Sequence, residues 1–174
     1  MYYTASCESS LGNLTLASDG STLIGLWIDG QKYDRDILKG KETVQEEVPV
    51  FVETRNWLKA YFAGKRPTVS DLPLSMTGSD FRKEVWKILC QIPYGQVVTY
   101  GEIAKKMAVR MGRESMSAQA VGGAVGHNPI SIIIPCHRVV GTDGSLTGYA
   151  GGIDKKILLL KHEGVDLSGD ALSR

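Results

Sequence analysis

The chain has 174 residues, 43% of them hydrophobic, and a formal net charge of +1 at pH 7. This composition is typical of a globular protein with one sizeable core or two small ones. No apolar stretch approaches the roughly 20 residues of a membrane-spanning helix, and the N-terminus lacks the features of a signal peptide. The three cysteines and three histidines show no disulfide or metal-ligand spacing. We therefore expect a cytoplasmic protein with no membrane partner and no metal.

The first third of the chain alternates short apolar segments with turns. Three such segments lie between residues 2 and 28, and Asp-Gly pairs at 19–20 and 29–30 mark turns. Residues 49–64 follow, with apolar side chains near helical spacing and a glycine at the end. We predict a small antiparallel sheet with a covering helix, in an N-terminal domain of residues 1–75.

A polar linker with two prolines, residues 65–78, leads into a second domain of residues 76–174. An amphipathic helix is predicted within residues 79–95 because its apolar residues share one face before a proline and a glycine end it. Two short helices joined by a polar turn follow, at 100–108 and 117–129. This pair resembles a helix-turn-helix. We predict an α+β protein whose C-terminal domain is helical and contains a helix-turn-helix, with or without a wing.

The second helix of this pair has an unusual surface. Gly122 and Gly123 stand side by side in its middle, where each should cost about 1 kcal/mol relative to alanine. Small side chains would let another backbone approach closely, either that of DNA or that of a packed protein helix. Residues 82–138 also hold eight Lys or Arg against three Asp or Glu. This excess fits a phosphate-binding face, although a solvated helix surface gives the same count.

The segment 129–135, PISIIIP, is apolar and β-branched, and we predict a buried strand that ends at its second proline. Cys136 would emerge at the end of that strand, next to a histidine and an arginine. A thiol near a basic group ionises more readily than a thiol in apolar surroundings. Because side chains alternate along a strand, His137 can serve Cys136 only if the backbone turns or a water joins them. Glu163 is one candidate to orient the imidazole.

Four motifs in the second half of the chain follow one another in a distinctive order. They are AVGGAVGHNP, IPCHRVVG, LTGYAGG and LLLKHEG, all between residues 80 and 166. Together they resemble the O6-alkylguanine-DNA alkyltransferase family, also called methylated-DNA–protein-cysteine methyltransferases. The first 80 residues are similar to the N-terminal domain of that family in layout only. They lack the cysteine and histidine ligands of the zinc site that some members carry.

The resemblance implies a catalytic role for several residues. Cys136 would accept the alkyl group, and His137, through a water, and Glu163 would form the relay that generates its thiolate. Asn128 would brace the segment that leads to the cysteine. Tyr100 would protonate the departing guanine and press on the phosphate that rotates as the base flips.

The same resemblance implies pocket and DNA contacts. Tyr149, Val139 and the backbone amide of Ala150 would line the guanine pocket. Many members carry an arginine at the position of Gln119, where it fills the space of the flipped nucleotide, and glutamine can occupy that volume without the charge. The other expected DNA contacts are Ser117, Ala120, Gly122, Gly123 and Arg138.

The implied function is DNA repair by a monomer that acts on double-stranded DNA carrying O6-alkylguanine. The alkyl group would pass irreversibly to the protein's own cysteine, once per molecule, after base flipping and without a cofactor. Repair of O4-alkylthymine is left open. One alternative is a DNA-binding lesion sensor or regulator without efficient transfer, and another is a papain-like cysteine hydrolase.

Overall fold

The computed structural model describes residues 1–146 and 148–167. The chain divides into two compact units. The first comprises Met1–Thr77 and Pro129–Ile133, and the second comprises Gly78–Asn128 and Ile134–Arg174. Within the described residues, no helix is both long and apolar enough to cross a membrane.

The first unit is built on a four-stranded sheet with the order β3-β2-β1-β4. Its strands are β1 (Tyr2–Ser9), β2 (Gly12–Ser18), β3 (Leu23–Ile28) and β4 (Thr43–Gln45). The first three strands are antiparallel, and the short β4 joins the edge of β1 in parallel. Helix α1 (Pro49–Phe62) contacts β2 and β3, and its buried residues include Phe51, Trp57 and Tyr61. The predicted antiparallel sheet and covering helix are confirmed.

The second unit is mainly helical. Its elements are α2 (Asp80–Leu89), β5 (Val98–Thr99), α3 (Tyr100–Arg110), α4 (Ala118–Gly126), β6 (Val139–Val140) and α5 (Ile153–His162). Strands β5 and β6 pair in parallel and form a separate two-stranded sheet. Helix α4 packs against both α2 and α3. The predicted helical domain with a helix-turn-helix, α3 and α4, is confirmed.

Capping side chains define where the two helices of this motif begin. Thr99 and Glu102 form a capping box, in which each side chain accepts a hydrogen bond from the other residue's backbone N–H. The Ser117 hydroxyl accepts from the backbone of Gln119 and Ala120 at the start of α4. These caps fix α3 and α4 at their N-terminal ends, which are the ends that carry the expected site residues.

Helix α2 holds both helices of the motif through polar side chains. The Trp86 indole donates to the Ala124 carbonyl of α4 over 2.8 Å, and this bond is buried. At the surface, Arg110 at the end of α3 pairs with Glu84 of α2 over 2.9 Å. The orientation of α4 is therefore set by a buried bond rather than by packing alone.

The paired glycines of α4 have no tight protein neighbour. A Cβ atom at Gly122 would lie 4.0 Å from the Tyr100 ring, and one at Gly123 would meet nothing within 4 Å. Among the described residues, a close crossing by another helix therefore does not account for them. Within residues 1–146 and 148–167, nothing packs closely on the glycines of this α4 face.

The prediction of a buried strand over 129–135 is wrong. Ile130 makes one isolated bridge to Leu26, and residues 131–134 form turns. The isoleucines of this segment are buried as expected, but the amides of Ile133 and Cys136 donate to carbonyls two residues back instead of to a neighbouring strand. A segment of apolar, β-branched residues predicts that its side chains are buried. Burial alone does not decide whether the backbone forms a strand or a turn.

Candidate active site

Cys136 opens a short 3-10 turn, Cys136–Arg138, directly after Pro135. The cysteine is 4% exposed. Its backbone N–H donates to the Ile134 carbonyl over 2.8 Å. The backbone therefore turns after Pro135, and the side chains of His137 and of the arginine that follows both reach the same carboxylate.

That carboxylate belongs to Glu163, the residue that caps the C-terminus of α5. Its Oε2 accepts from His137 Nε2 at 2.6 Å and from Arg138 Nη2 at 3.0 Å. Its Oε1 accepts from Arg138 Nε at 2.8 Å and from the Gly95 N–H at 3.1 Å. Charge-assisted and bidentate bonds of this kind are the strong ones, and they fix the carboxylate in place.

The hydrogen-bond pattern determines which nitrogen of His137 carries the proton. An ionised carboxylate only accepts hydrogen bonds, so the proton lies on Nε2 and faces Glu163. The other nitrogen, Nδ1, is buried and has no hydrogen-bond partner among the described residues. Burial lowers the pKa of His137, and Glu163 opposes this shift only in part. His137 is therefore a neutral imidazole with a free lone pair, next in sequence to Cys136.

Cys136 lies in surroundings that keep its resting thiol protonated. Burial raises the pKa of Cys136, and a hydrogen bond from Asn128 and the positive charge of Lys156 act in the opposite direction. Asn128 also donates through Nδ2 to the Ile134 carbonyl over 2.9 Å, the same oxygen that accepts from the Cys136 amide. Since Asn128 follows α4, it connects the end of that helix to the turn that carries the thiol.

Lys156 lies near Cys136 electrostatically and was not singled out by the sequence analysis. It lies on α5 with its side chain fully buried, and its Nζ donates to the Val139 carbonyl over 2.5 Å. Burial lowers the pKa of Lys156 to about 8, and the Cys136 charge opposes that shift. Its position could have been found from helical spacing, because Lys156, Leu159, Leu160 and Glu163 fall at i, i+3, i+4 and i+7 of one helix face.

Two tyrosines approach the same thiol. The Tyr100 hydroxyl donates to the Gly148 carbonyl over 3.2 Å, and burial, followed by the charge of Cys136, raises the pKa of Tyr100 to about 12. Burial and the Cys136 charge also raise the pKa of Tyr149. The Tyr149 hydroxyl is buried without a hydrogen-bond partner among the described residues. Both phenols therefore stay protonated at neutral pH. Ala150, whose backbone amide was expected to face the guanine, is half-buried beside Tyr149.

Two family models together cover nearly the whole chain. Residues 80–165 match the 6-O-methylguanine DNA methyltransferase, DNA binding domain, and residues 1–76 match the ribonuclease-like domain of the same family. The chain belongs to the 6-O-methylguanine DNA methyltransferase family. Membership confirms the predicted activity, repair of DNA by transfer of an alkyl group from O6-alkylguanine to a cysteine of the protein.

Individual relatives agree with this assignment. The methylated-DNA–protein-cysteine methyltransferase of Methanosarcina barkeri is 46% identical over 94% of this chain and 97% of its own length. The crystal structure of the Mycobacterium tuberculosis O6-methylguanine methyltransferase is 42% identical and gives a TM-score of 0.76 over 94% of this chain and 93% of its own. A structure of Mycobacterium tuberculosis OGT in complex with DNA is also 42% identical, with a TM-score of 0.76 over 92% of each chain.

Most of the DNA contacts expected from the methyltransferase family lie on the open face of α4. Ser117, Gln119, Ala120 and Gly123 are exposed, and Gly122 is half-buried against Tyr100. The face presents small side chains and one amide, and the exposed arginine Arg113 lies on the preceding turn. Such a surface suits close approach to a backbone more than reading of base edges.

Arg138 does not fit the DNA-binding role expected for it. Its guanidinium is buried and donates to Glu163 and, over 2.6 Å, to the Ile92 carbonyl. Because these N–H donors already bond to groups inside the protein, Arg138 cannot also form a bidentate contact with a DNA phosphate. Arg138 instead supplies a fixed positive charge beside the carboxylate of Glu163.

The first unit contains an open cleft of about 800 Å³ on its sheet. Its walls carry Arg35 and Arg55, which pair with Asp29 and Glu47 respectively. The cleft lining includes no cysteine, histidine or tyrosine that could take part in alkyl transfer. Among the described residues there is also no cluster of three or more His, Cys, Asp or Glu side chains that could hold a metal ion.

Proposed function

We propose that Cys136 is the acceptor of the alkyl group, with His137 as its base and Glu163 as the group that orients the base. The observation that carries this proposal is the free Nδ1 of His137. The Nε2–H of that ring is fixed on Glu163 over 2.6 Å, and the remaining lone pair belongs to the residue next to the thiol. A nucleophile, a base and an orienting carboxylate are the three parts of a generalised catalytic triad.

The reaction balances without a cofactor. His137 Nδ1 takes the thiol proton, either directly or through a water, and becomes an imidazolium that the Glu163 carboxylate stabilises. The Cys136 sulfur attacks the alkyl carbon, a C–S bond forms, and the bond between that carbon and guanine O6 breaks. The guanine leaves with the bonding electron pair and takes a proton from a protein donor. That donor regains a proton from solvent as the imidazolium releases the thiol proton, so that the net products are the thioether and neutral guanine. Because the product is a thioether, each molecule acts once.

Tyr100 is proposed as the donor of the proton that guanine takes. Its phenol has a pKa of about 12 and is therefore protonated at neutral pH. It sits at the first residue of α3, where the capping box of Thr99 and Glu102 holds the helix start. A proton delivered to the departing base lowers the free energy of the transition state by removing its developing negative charge.

Lys156 is proposed to favour the thiolate. Its ammonium group is buried, so its charge is screened far less than that of a surface lysine. The positive charge acts against the burial that raises the pKa of Cys136. The same Nζ holds the carbonyl of Val139, a residue expected to line the guanine pocket.

Base flipping is proposed to occur against α4. Guanine O6 lies inside the duplex, so an enzyme that acts there has to extrude the nucleotide. The exposed N-terminal residues of α4, including Gln119, would lie against the duplex and fill the space that the base leaves. Binding through the DNA backbone would dominate and would weaken as salt rises.

Transfer stoichiometry tests the proposal. A duplex with radiolabelled O6-methylguanine is incubated with the protein and with Cys136→Ser, Cys7→Ser and Cys90→Ser variants. The proposal predicts one label per wild-type molecule, no label in Cys136→Ser, and full labelling in the two control variants. A lesion sensor would bind the duplex and take no label, and a regulator would show no preference for the lesion.

A further inference from the structure

The backbone just before the proposed acceptor contains a residue in a rare conformation. Ile132 has φ 72°, in the left-handed region, and is fully buried. The Ile133 N–H donates to the Ser131 carbonyl over 2.8 Å and closes a three-residue ring around Ile132. A γ-turn with positive φ is rare and strained, and a β-branched residue at its centre is an outlier.

A second γ-turn follows at once. Pro135 has φ −82° and ψ 64°, and the Cys136 N–H donates to the Ile134 carbonyl. These values match the common, relaxed form of the turn, so Pro135 adopts its conformation without strain. The two turns follow one another along the chain up to Cys136, and the ring of Pro135 fixes φ in the second of them.

The strained turn is held on both sides by hydrogen bonds. The Ser131 N–H donates to the Leu26 carbonyl over 2.9 Å, and the Leu26 N–H donates to the Pro129 carbonyl over 2.8 Å. On the other side, Asn128 Nδ2 holds the Ile134 carbonyl over 2.9 Å. Strained residues persist where their surroundings determine them fully, and such residues cluster at functional sites.

We infer that Ile132 is a positioning residue for alkyl transfer: its left-handed turn fixes the direction in which the Cys136 thiol points, at a cost in stability. This inference rests on the proposed role of Cys136 as the acceptor. A β-branched side chain stiffens the turn, whereas glycine at this position would adopt positive φ freely along with many other conformations.

At position 132, the glycine variant should be more stable than the alanine variant but slower in methyl transfer. Ile132→Gly and Ile132→Ala both remove the buried side chain, but only glycine relieves the backbone. Ile132→Gly should therefore unfold at a higher urea concentration than Ile132→Ala, and should transfer methyl several-fold more slowly per folded molecule. At Ile133, which is equally buried and has no positive φ, Ala should be the more stable of the same pair.

The experiment measures urea midpoints and single-turnover transfer rates over a range of duplex concentrations. A positioning role lowers the maximal rate of Ile132→Gly and leaves the half-saturating DNA concentration unchanged. If an alanine variant does not fold, Ile132→Gly is compared with Ile133→Gly, and the first should lose less stability and more maximal rate. Equal maximal rates in the two variants, or a larger stability loss at Ile132, would overturn the inference.

The wild-type protein is mapped for methylated cysteine in the same experiment. If the methyl group lies on Cys136 but Ile132→Gly transfers as fast as Ile132→Ala, the inference about Ile132 is wrong, and Cys136 remains the acceptor. If the label lies on another cysteine, the proposed acceptor is wrong and the inference falls with it.

Discussion

His137 Nε2 lies 2.6 Å from Glu163 Oε2, and neither side chain is exposed to solvent. The contact fixes the imidazole as the tautomer whose free nitrogen, Nδ1, belongs to the residue next to the Cys136 thiol. Arg138 holds the same carboxylate through two N–H donors. One buried carboxylate therefore organises both residues that follow the cysteine.

The relay predicts non-additive losses. His137→Ala removes the proposed base, and Glu163→Gln removes the group proposed to orient it, so each should slow methyl transfer on the order of 10²-fold or more, within the range of general base catalysis. The double variant should be little slower than the slower single variant, because members of one unit act together. Single-turnover rates normalised to folded protein check this. Multiplying losses would show that the two residues act separately.

Glu163→Gln should also destabilise the fold. It leaves the buried Arg138 guanidinium without its counter-charge, and breaking a buried ion pair costs about 3–5 kcal/mol. Removing Arg138 as well, in Arg138→Met with Glu163→Gln, should restore part of that loss. Urea unfolding of the single and double variants measures both changes. An unchanged free energy of unfolding in Glu163→Gln would show that the Arg138–Glu163 ion pair does not stabilise the fold.

The pKa of His137 predicts how stability depends on pH. Because that pKa is lowered in the folded protein, the unfolded chain binds a proton more readily, and the folded state loses stability as pH falls below about 6.5, the ordinary histidine value. The stabilisation is complete above that pH and is lost progressively through the folded pKa. Urea unfolding between pH 7.5 and about 5 should show this slope. His137→Gln should reduce this dependence of stability on pH. If the variant shows the same slope as wild type, a different titrating group is responsible.

Lys156 should act on transfer through its charge. Lys156→Met removes the buried charge and keeps a chain of similar length, at the cost of leaving the Val139 carbonyl without its hydrogen-bond donor. Transfer should slow several-fold at neutral pH, because the pKa of Cys136 rises when the opposing positive charge is lost. The rate should recover as pH rises and the thiol ionises without help. Lys161→Met, at an exposed position of the same helix, is the matched control and should transfer at the wild-type rate.

Gln119 should affect transfer only when a base has to be flipped. Gln119→Ala should slow transfer several-fold on duplex DNA and leave the reaction with free O6-benzylguanine unchanged, while Gln119→Arg should be equal to wild type or faster on the duplex. The residue is exposed on α4, whereas His137 and Glu163 are buried. Comparable slowing of Gln119→Ala on both substrates would place residue 119 in support of the pocket.

The motifs around the cysteine predicted the family from the sequence alone. They also led to the proposal of Cys136, His137 and Glu163 as site residues, although spacing by itself left Glu163 as one candidate among others. Lys156 was missed because a Lys-Lys pair on an amphipathic helix usually lies at the surface, although helical spacing places it on the same face as Leu159, Leu160 and Glu163. Spacing indicates a shared face, whereas the hydrogen bond of Lys156 to the Val139 carbonyl is visible only in the structure.

Two further errors have the same physical origin. The isoleucine-rich segment was predicted as a strand because strands and buried turns share the same composition, and the hydrogen bonds around Ile132 that decide between them are invisible in the sequence. Arg138 was expected to contact DNA because the family resemblance implied it. In the structure, Arg138 instead binds the buried carboxylate of Glu163, which lies 25 residues away in sequence.

Peptide mapping after reaction tests the acceptor most directly. The three cysteines fall on separate tryptic peptides, since Lys32, Lys87, Lys105, Arg113 and Arg138 provide cleavage sites between and around them. After incubation with excess duplex carrying O6-methylguanine, the peptide Glu114–Arg138 should gain one methyl group, on Cys136, in every active molecule, while the peptides with Cys7 and Cys90 remain unmodified. A methyl group on either of those two cysteines, or repeated turnover by a protein whose Cys136 stays unmodified, would contradict the proposed site.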